Sequence, residues 1–231
     1  MSFSAKKKKY DKLLEKKVWL FDFDGVLVPN HTKKDFDCFV SNAIKLIADF
    51  KGITLEEGKE LYLSLQKNKK YNSFVEFFKN NFPEIDVHTV MSRIFLEYNE
   101  KYKKIKPENI TVDHFKKLSR SKTLGVLTNN TGEIVKETME RMGYLRFFER
   151  VIAMEELYPF LKPEEHSYKV AAKTFGAKPE DIVFIDDSEE NVKASRKFGM
   201  LSIHITNEKS STEVADFSFK SNTELLIDVL R

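Results

Sequence analysis

The chain contains, near its start, the stretch Val18-Trp19-Leu20-Phe21-Asp22-Phe23-Asp24-Gly25-Val26-Leu27, in which two carboxylates follow a run of large apolar residues. The run is too short for a helix and is bounded by polar sequence, so we predict a buried strand. Residues i and i+2 of a strand share a face, which places Asp22 near Asp24 where the chain turns at Gly25. Burying two carboxylates is costly unless a cation or other partners meet them. The turn is therefore a candidate functional site, at which a cation or other partners would meet the two carboxylates.

Length and composition limit the classes of protein to consider. The chain has 231 residues, enough for one α/β domain with an insertion or for two small domains. Hydrophobic residues make up 41% and aromatic residues 13%, so a substantial core is available and disorder is not expected. The net charge of +3 is close to balance and gives no case for nucleic acid as a partner. The lysine run at residues 6–9 is expected to be a solvated tail.

The cysteine content and the hydropathy of the chain indicate the cellular compartment in which the protein is expected. The single cysteine, Cys38, excludes an internal disulfide and a cysteine-rich zinc site, and it fits a reducing compartment. Residues 1–17 are basic without a following apolar segment, so no signal peptide is predicted, and no stretch approaches the length of a membrane span. We expect a soluble cytoplasmic protein with no membrane partner. The sequence does not indicate an oligomeric state.

A long block after the first strand has helical periodicity and no convincing strand. Its apolar stripes lie in the stretches Phe36–Phe50, Leu61–Leu65, Phe74–Phe78 and Val90–Tyr102. Gly52 is placed to end the first of these helices. We predict an all-helical subdomain at residues 31–106, inserted into an α/β domain formed by residues 1–30 and 107–231.

From residue 112 the pattern changes to short apolar strands that alternate with helices. The predicted strands are Thr123–Leu127, Val151–Ala153, Asp181–Ile185 and Leu201–Ile205, with Phe217–Phe219 as a short edge strand. Glycines at 143, 176 and 199 are placed to end the intervening helices. Such alternation predicts an α/β fold with a doubly wound, mostly parallel sheet.

Polar side chains follow several of these predicted strands, at the edge where open parallel sheets bind ligands. Thr128 and Asn129 follow the second strand, Lys162 lies in the loop after the third, and Asp186 and Asp187 follow the fourth. Each motif alone is common in turns and helix caps, but their combination in this order indicates a site. Four carboxylates facing one ammonium group would repel one another, so we expect a divalent cation, and Mg²⁺ suits oxygen ligands. The remaining groups suit a phosphate dianion.

With these four segments, the chain resembles the haloacid dehalogenase superfamily. The matching motifs are Asp22-Phe23-Asp24-Gly25-Val26, Thr128-Asn129, Lys162-Pro163 and Asp186-Asp187-Ser188. The resemblance covers roughly residues 15–30 and 107–231, and the helical block is similar to the caps of this superfamily's first subclass. It implies a Rossmann-type core with a helical cap, and a Mg²⁺-dependent phosphatase that hydrolyses a small phosphomonoester through an aspartyl-phosphate.

The resemblance also implies roles for the two acids of the first motif. Asp22 would be the nucleophile that attacks phosphorus, since a carboxylate is already ionised at neutral pH. Asp24 would protonate the leaving-group oxygen and then accept a proton from the hydrolytic water. Family members that displace halide generally lack an acid at the position of Asp24, because halide leaves without a proton. Asp24 therefore favours phosphoryl transfer.

The other motif residues would hold the ion and the phosphoryl group. The implied phosphate-binding groups are Thr128, the backbone at Asn129, and Lys162. The implied Mg²⁺ ligands are Asp22, the carbonyl of Asp24, Asp187, and Asp186 directly or through water.

Two alternatives and the identity of the substrate stay open. A phosphomutase uses the same four motifs, and a non-catalytic protein on this fold would bind a phosphorylated ligand or a partner. The partner expected here is a small phosphorylated metabolite. Candidates for its selection in the helical block are His31, Lys67, Lys69, Lys70, Tyr71, Asn72 and Arg93. Of these, His31 is the preferred candidate because it follows the first motif closely, whereas residues 67–70 are more typical of a solvated helix end.

Overall fold

A computed structural model describes residues 10–30, 32–67, 71, 74–95, 100, 102–106, 109–207 and 213–230 of the chain. Outside the described residues lie the lysine run 6–9, the candidates His31, Lys69, Lys70 and Asn72, and residues 96–99 of the predicted fourth helical stripe. The chain divides into two compact units, Met1–Asn30 with Ile105–Arg231, and His31–Lys104.

Strands and helices alternate along the first unit, and the second unit contains helices. The described strands are β1 Val18–Phe21, β2 Thr123–Leu127, β3 Arg150–Ile152, β4 Ile182–Asp186, β5 Leu201–Ile205 and β6 Phe217–Phe219. The described α-helices are α1 Lys33–Lys51, α2 Leu55–Lys67, α3 Phe74–Asn81, α4 Val87–Ile94, α5 Asn109–Leu118, α6 Gly132–Arg141, α7 Met154–Leu157, α8 Glu165–Thr174, α9 Glu189–Lys197 and α10 Asn222–Leu230. Helices α1–α4 belong to the second unit and the others to the first.

The strands of the first unit form one parallel sheet. In the described part of the chain it has six strands in the order β3-β2-β1-β4-β5-β6. Every neighbouring pair is parallel. The doubly wound, parallel α/β fold predicted from the sequence is confirmed. Strand β1 lies between β2 and β4 and is buried along its whole length, as its continuous apolar sequence requires.

The register of the central strands brings their carboxyl ends level with one another. Phe21 at the end of β1 pairs with Val126 of β2 and with Ile185 of β4. The next residues along these strands, Asp22, Leu127 and Asp186, therefore lie side by side at this edge of the sheet. Strand β1 also ends earlier than the apolar run suggests. The carbonyl of Phe23 accepts hydrogen bonds from the N–H groups of Leu27 and Val28, at 2.9 and 3.0 Å, and closes a turn.

Aromatic side chains hold β1 against α5 and the segment that precedes β3. The ring of Phe21 lies 5.5 Å from that of Phe115 in α5 and 5.7 Å from that of Phe148, in edge-to-face arrangements. Burial of each such side chain stabilises the fold by about 1.5–3 kcal/mol, and an edge-to-face pair adds about 0.5–1.5 kcal/mol. The turn after Phe21 is thus built on a rigid strand.

Helix α1 organises the second unit. It begins at Thr32, whose hydroxyl accepts from the N–H of Asp35 while the Asp35 carboxylate accepts from the N–H of Thr32, a capping box. It ends at Gly52, in the left-handed conformation, as predicted. Its buried face, which includes Phe39 and Ile47, packs against α2 and α4. No strand occurs among the described residues of this unit, in agreement with the predicted all-helical block.

Among the described residues, no helix combines the length and apolar character needed to cross a membrane.

Candidate active site

The first unit brings the polar residues of the predicted site together at the carboxyl ends of β1, β2 and β4. The N–H of Asp22 still donates to the carbonyl of Ile185 at 2.8 Å, and the N–H of Thr128 donates to Ile152 at 3.0 Å. The backbone of both residues therefore continues the hydrogen bonding of the sheet one residue beyond their strands. Asp186 is the last residue of β4 and is fully buried.

Lys162 supplies a buried positive charge at this edge. Its Nζ lies 2.8 Å from Oδ1 of Asp22 and 2.7 Å from Oδ2 of Asp186, and only 1% of its side chain is exposed. Burial by itself lowers the pKa of Lys162, but the two carboxylates outweigh burial and raise the pKa above its usual range. The ammonium group is therefore charged and joins two strand ends.

Asn129 fixes the backbone of Lys162. Its Nδ2 donates to the carbonyl of Lys162 at 2.9 Å, and its Oδ1 accepts from the N–H of Lys162 at 2.9 Å. The family resemblance implied only a backbone role for Asn129 in phosphate binding. In the structure its side chain also positions Lys162, which shows how the end of β2 controls a loop more than 30 residues further along the chain.

Asp186 is saturated with hydrogen bonds and ion pairs. Its Oδ1 accepts from the N–H of Ser188 at 2.8 Å, and Nδ2 of Asn191 lies 3.1 Å from both carboxylate oxygens. Together with Lys162, these donors hold Asp186 in one orientation. Ser188 in turn caps α9 by accepting from the N–H of Asn191.

Asp187 faces the turn of the first motif. Its carboxylate accepts from the side-chain amide of Asn30, and its carbonyl oxygen lies 3.0 Å from Nε2 of His204 on β5. Burial, reinforced by the neighbouring charge of Asp186, raises the pKa of Asp187 to about 7. The turn packs tightly against Asp187, because a Cβ atom on Gly25 would lie 2.4 Å from Cγ of Asp187.

Asp24 lies in the turn and is held by a side chain that follows β2. Nδ2 of Asn130 donates to Oδ2 of Asp24 at 3.0 Å, while the N–H of Asn130 donates to Oγ1 of Thr128 at 3.1 Å. Asn130 thus connects the turn that contains Asp24 to the hydroxyl group of Thr128. Sequence reasoning missed Asn30, Asn130 and Asn191 as site residues. All three stand within six positions of a motif acid or hydroxyl, and that proximity was the only available signal.

The carboxylates fit a divalent cation with oxygen ligands. Oxygens of Asp22, Asp186 and Asp187 lie within 4.8 Å of one another, and in the described part of the chain no other group of three or more potential metal ligands meets this criterion. Burial raises the pKa of Asp22 well above its usual range, with Lys162 opposing this effect and the charges of Asp186 and Asp24 adding to it. The cluster therefore holds more negative charge than Lys162 balances. An all-oxygen donor set with this excess charge matches the preference of Mg²⁺.

Two selection candidates of the helical unit have partners within that unit. Arg93 pairs with Asp49 at 2.5 Å, and the hydroxyl of Tyr71 accepts from Nδ2 of Asn81 at 2.9 Å. Lys67 is exposed in the last turn of α2, which agrees with a solvated helix end.

Gly25→Ala is expected to damage the carboxylate cluster as well as the turn. Gly25 has a φ of 76°, where an L-residue costs about 1–2 kcal/mol, and the new Cβ would displace Asp187. Gly143→Ala is the matched control, because Gly143 has a φ of 71° and no atom within 4 Å of the position of its Cβ. We expect both variants to melt earlier, but only Gly25→Ala to lose stabilisation by added Mg²⁺ in thermal unfolding. Equal stabilisation of the two variants by Mg²⁺ would contradict the proximity of Gly25 and Asp187.

Comparisons with known proteins agree with the fold and the motifs. The model of the haloacid dehalogenase-like hydrolase family matches residues 19–205. A glyceraldehyde 3-phosphate phosphatase from Methanopyrus kandleri is 26% identical over 230 residues, which cover 93% of this chain and 97% of the relative.

Solved structures show the same architecture. A HAD phosphatase from Thermococcus onnurineus has a TM-score of 0.62 at 22% identity, over 90% of this chain and 95% of that chain. A dehalogenase solved with an intermediate complex has a TM-score of 0.58 at 16% identity, over 94% of this chain and 98% of that chain. These two likenesses show the fold alone, because the fold is shared by a phosphatase and a dehalogenase. Because the family model spans most of the chain, from the first motif to the end of β5, the protein belongs to the haloacid dehalogenase-like hydrolase family.

Proposed function

We propose that this protein is a Mg²⁺-dependent phosphatase that hydrolyses a small phosphomonoester through an aspartyl-phosphate on Asp22. The observation that carries the proposal is the contact of Asp22 with Lys162 at 2.8 Å, at a strand end where Asp186 and Asp187 complete a cluster of carboxylates. A carboxylate held beside a buried ammonium group is ready to meet a phosphate dianion.

In the first step, Asp22 attacks and Asp24 supplies a proton. A carboxylate oxygen of Asp22 forms a bond to phosphorus while the bond from phosphorus to the ester oxygen breaks. Asp24, protonated at this stage, gives its proton to the departing oxygen, so the alcohol leaves neutral. The hydrogen bond from Asn130 at 3.0 Å orients the carboxyl group of Asp24 for this transfer.

In the second step, water replaces the enzyme on phosphorus. Asp24, now a carboxylate, takes a proton from a water molecule whose oxygen attacks the phosphorus of the aspartyl-phosphate. The bond between phosphorus and Asp22 breaks, and inorganic phosphate leaves. Both acids return to their starting states, with Asp24 protonated and Asp22 ionised.

The remaining motif residues stabilise the charge on the phosphoryl oxygens. The ammonium group of Lys162, the hydroxyl of Thr128 and the backbone N–H of Asn129 are donors at this edge of the sheet. Asp22, Asp187 and the carbonyl of Asp24 would hold Mg²⁺, which when bound offsets the negative charge of the phosphoryl group. Asp186 would reach the ion through water, because its oxygens already accept from Lys162, Ser188 and Asn191.

The substrate is proposed to be a small phosphorylated metabolite, and residues 31–106 are proposed to be the cap that selects it. The relative from Methanopyrus kandleri supports this class of substrate, since its name is glyceraldehyde 3-phosphate phosphatase. Asp24 supports hydrolysis of phosphoesters over displacement of halide, because an alkoxide needs a proton to leave.

Purified protein tests the proposal directly. With Mg²⁺, it is expected to release inorganic phosphate from a panel of small phosphomonoesters that includes glyceraldehyde 3-phosphate. A phosphomutase would instead return an isomeric phosphoester without net release of phosphate. A non-catalytic binding protein would bind members of the panel and release nothing.

Addition of Mg²⁺ is expected to stabilise the protein against unfolding. The ion relieves repulsion among buried carboxylates and binds only the folded state, so the gain is about 1.4 kcal/mol at a ten-fold excess over its dissociation constant and about 2.7 kcal/mol at a hundred-fold excess. Thermal unfolding with and without MgCl₂ measures this gain, and Asp187→Asn should reduce it. NaCl at matched ionic strength is the control. An equal gain with NaCl would mean that the carboxylates respond only to general screening.

A further inference from the structure

The side-chain amide of Asn130 is held in one orientation by a neighbour in the chain. Its Oδ1 accepts from the N–H of Thr131 at 2.7 Å, and its Nδ2 donates to Oδ2 of Asp24 at 3.0 Å. Rotation of the amide by half a turn would leave the N–H of Thr131 facing an NH₂ group, which cannot accept a hydrogen bond. Asn130 therefore presents a donor, and not an acceptor, to Asp24.

The backbone of Asn130 is held as firmly as its side chain. Its N–H donates to Oγ1 of Thr128 at 3.1 Å, and its carbonyl accepts from the N–H of Met154 at 3.0 Å. Met154 lies two residues beyond β3, so Asn130 is fixed between the carboxyl ends of two neighbouring strands, β2 and β3. Both backbone groups and both ends of the side-chain amide thus have partners, and the donor that faces Asp24 has little freedom to move.

A donor at Oδ2 decides which oxygen of a protonated Asp24 carries the hydrogen. In a carboxylic acid the carbonyl oxygen is the better acceptor, and the other oxygen carries the hydrogen. The amide of Asn130 at Oδ2 therefore favours the form of Asp24 in which the hydrogen is on Oδ1. Because Oδ2 stays bonded to Asn130 when Asp24 is a carboxylate, Oδ1 is also the oxygen that takes a proton back.

We infer that Asn130 is a positioning residue for protonation of the leaving group, and this inference rests on the phosphatase activity proposed above. Asn130 acts through Asp24, which it holds so that Oδ1 gives its hydrogen to the ester oxygen. As the bond from phosphorus to that oxygen breaks, its electron pair stays on the oxygen and the alcohol leaves neutral. The class of substrate that gains from this arrangement is the phosphate ester of an aliphatic alcohol, since a nitrophenolate leaves without a proton.

Two substrates of similar size test this role. 4-Nitrobenzyl phosphate releases an aliphatic alcohol, which leaves with a proton, whereas 4-nitrophenyl phosphate releases a phenolate, which leaves without one. The measured quantity is kcat/KM, because it reports the steps up to departure of the alcohol or phenolate and excludes the later attack by water. For Asn130→Leu we expect a loss of about 10- to 100-fold on 4-nitrobenzyl phosphate and of less than about three-fold on 4-nitrophenyl phosphate.

Two further variants separate positioning from a structural role. Lys162→Met is the matched control, because it damages the phosphoryl site and should slow both substrates by similar factors. In an Asp24→Asn background, Asn130→Leu should lower kcat/KM for 4-nitrobenzyl phosphate by less than about two-fold, since the group through which Asn130 acts is already lost. Asn130→Ala, which adds no bulk, gives the same comparison should Asn130→Leu fail to fold.

Equal losses on the two substrates would overturn the inference, and so would a loss in the Asp24→Asn background as large as in the wild-type background. A wild-type protein that releases phosphate from no phosphomonoester would overturn the phosphatase proposal and this role together, whereas an active wild-type protein with equal losses would overturn this role alone. If the wild-type protein hydrolyses other phosphomonoesters but not the nitroaryl pair, the aliphatic ester that it hydrolyses best is compared with acetyl phosphate, whose acetate leaves without a proton, and the same ratio of losses is expected.

Discussion

Asp22→Asn is expected to lower the rate of phosphate release by about 10⁴-fold or more, because the amide cannot form the bond to phosphorus. The variant should still fold. Asn has nearly the same shape as Asp, and Lys162 keeps its contact with Asp186 at 2.7 Å. The excess of negative charge in the cluster also falls, so the metal-free protein should unfold at the same temperature or higher. Steady-state release of phosphate and thermal unfolding measure the two effects.

Asp181→Asn is the matched control for this variant. Asp181 belongs to the same unit and pairs with Lys17 at 3.4 Å at the protein surface, away from the carboxyl ends of the strands. Its loss should change the rate less than about two-fold. If Asp22→Asn retained more than about a hundredth of the wild-type rate, another group would have to be the nucleophile.

Lys162→Met is expected to reduce the free energy of unfolding by about 3–5 kcal/mol, because it leaves buried carboxylates without their cation. The contacts of Nζ with Asp22 and Asp186 at 2.8 and 2.7 Å are both lost, and both carboxylates are shielded from water. The rate of phosphate release should also fall by about 10²–10³-fold, since a donor to the phosphoryl oxygens is removed. Denaturant unfolding in the absence of Mg²⁺ and single-turnover rates are the measurements.

Lys169→Met tests whether burial is the cause of this loss of stability. Lys169 pairs with Glu165 at 2.6 Å on α8, but both side chains are more than half exposed. An exposed pair of this kind contributes about 0.3–0.5 kcal/mol. A second variant, Lys162→Met with Asp186→Asn, should recover part of the loss, because one unpaired charge disappears. Equal losses in Lys162→Met and Lys169→Met would refute the buried ion pair as a source of stability.

Much of the fold could be predicted because it depends on local patterns. The strand Thr123–Leu127 and the strand Leu201–Ile205 have the bounds that their short apolar sequences indicate. The helix ends at glycines follow from backbone sterics and need no tertiary information. The order of the strands in the sheet could not be predicted in this way, because it depends on which surfaces pack together. The sequence predicted only that the sheet is mostly parallel.

The positions of the candidate site residues could be predicted from the sequence, but the contacts of their side chains could not. The carboxyl ends of parallel strands meet at one edge, so Asp22, Thr128 and Asp186 could be placed together from their positions alone. The contacts of the side-chain amides could not be predicted in this way. In the sequence, Asn129 and Asn130 are typical of a turn that precedes a helix. Their hydrogen bonds to Lys162 and Asp24 depend on how distant segments of the chain pack.

The first motif shows the same limit. The pattern of the apolar run suggested a strand face shared by both acids, whereas the strand ends at Phe21 and the bonds to the carbonyl of Phe23 close a turn around Asp24. The contact of this turn with Asp187 also joins residues far apart in the sequence. Only the folded chain reveals that Gly25 is required for space as well as for its backbone conformation.

The most direct test of the central claim is to find the phosphoryl group on the enzyme during turnover. The protein is mixed with Mg²⁺ and an excess of a phosphomonoester it hydrolyses, quenched in acid at successive times, digested and mapped by mass spectrometry. We predict one peptide that gains the mass of a phosphoryl group at Asp22, at a rate at least equal to turnover, and that loses it when substrate is exhausted. Turnover without any such adduct, or with the adduct on another residue, would contradict nucleophilic catalysis by Asp22.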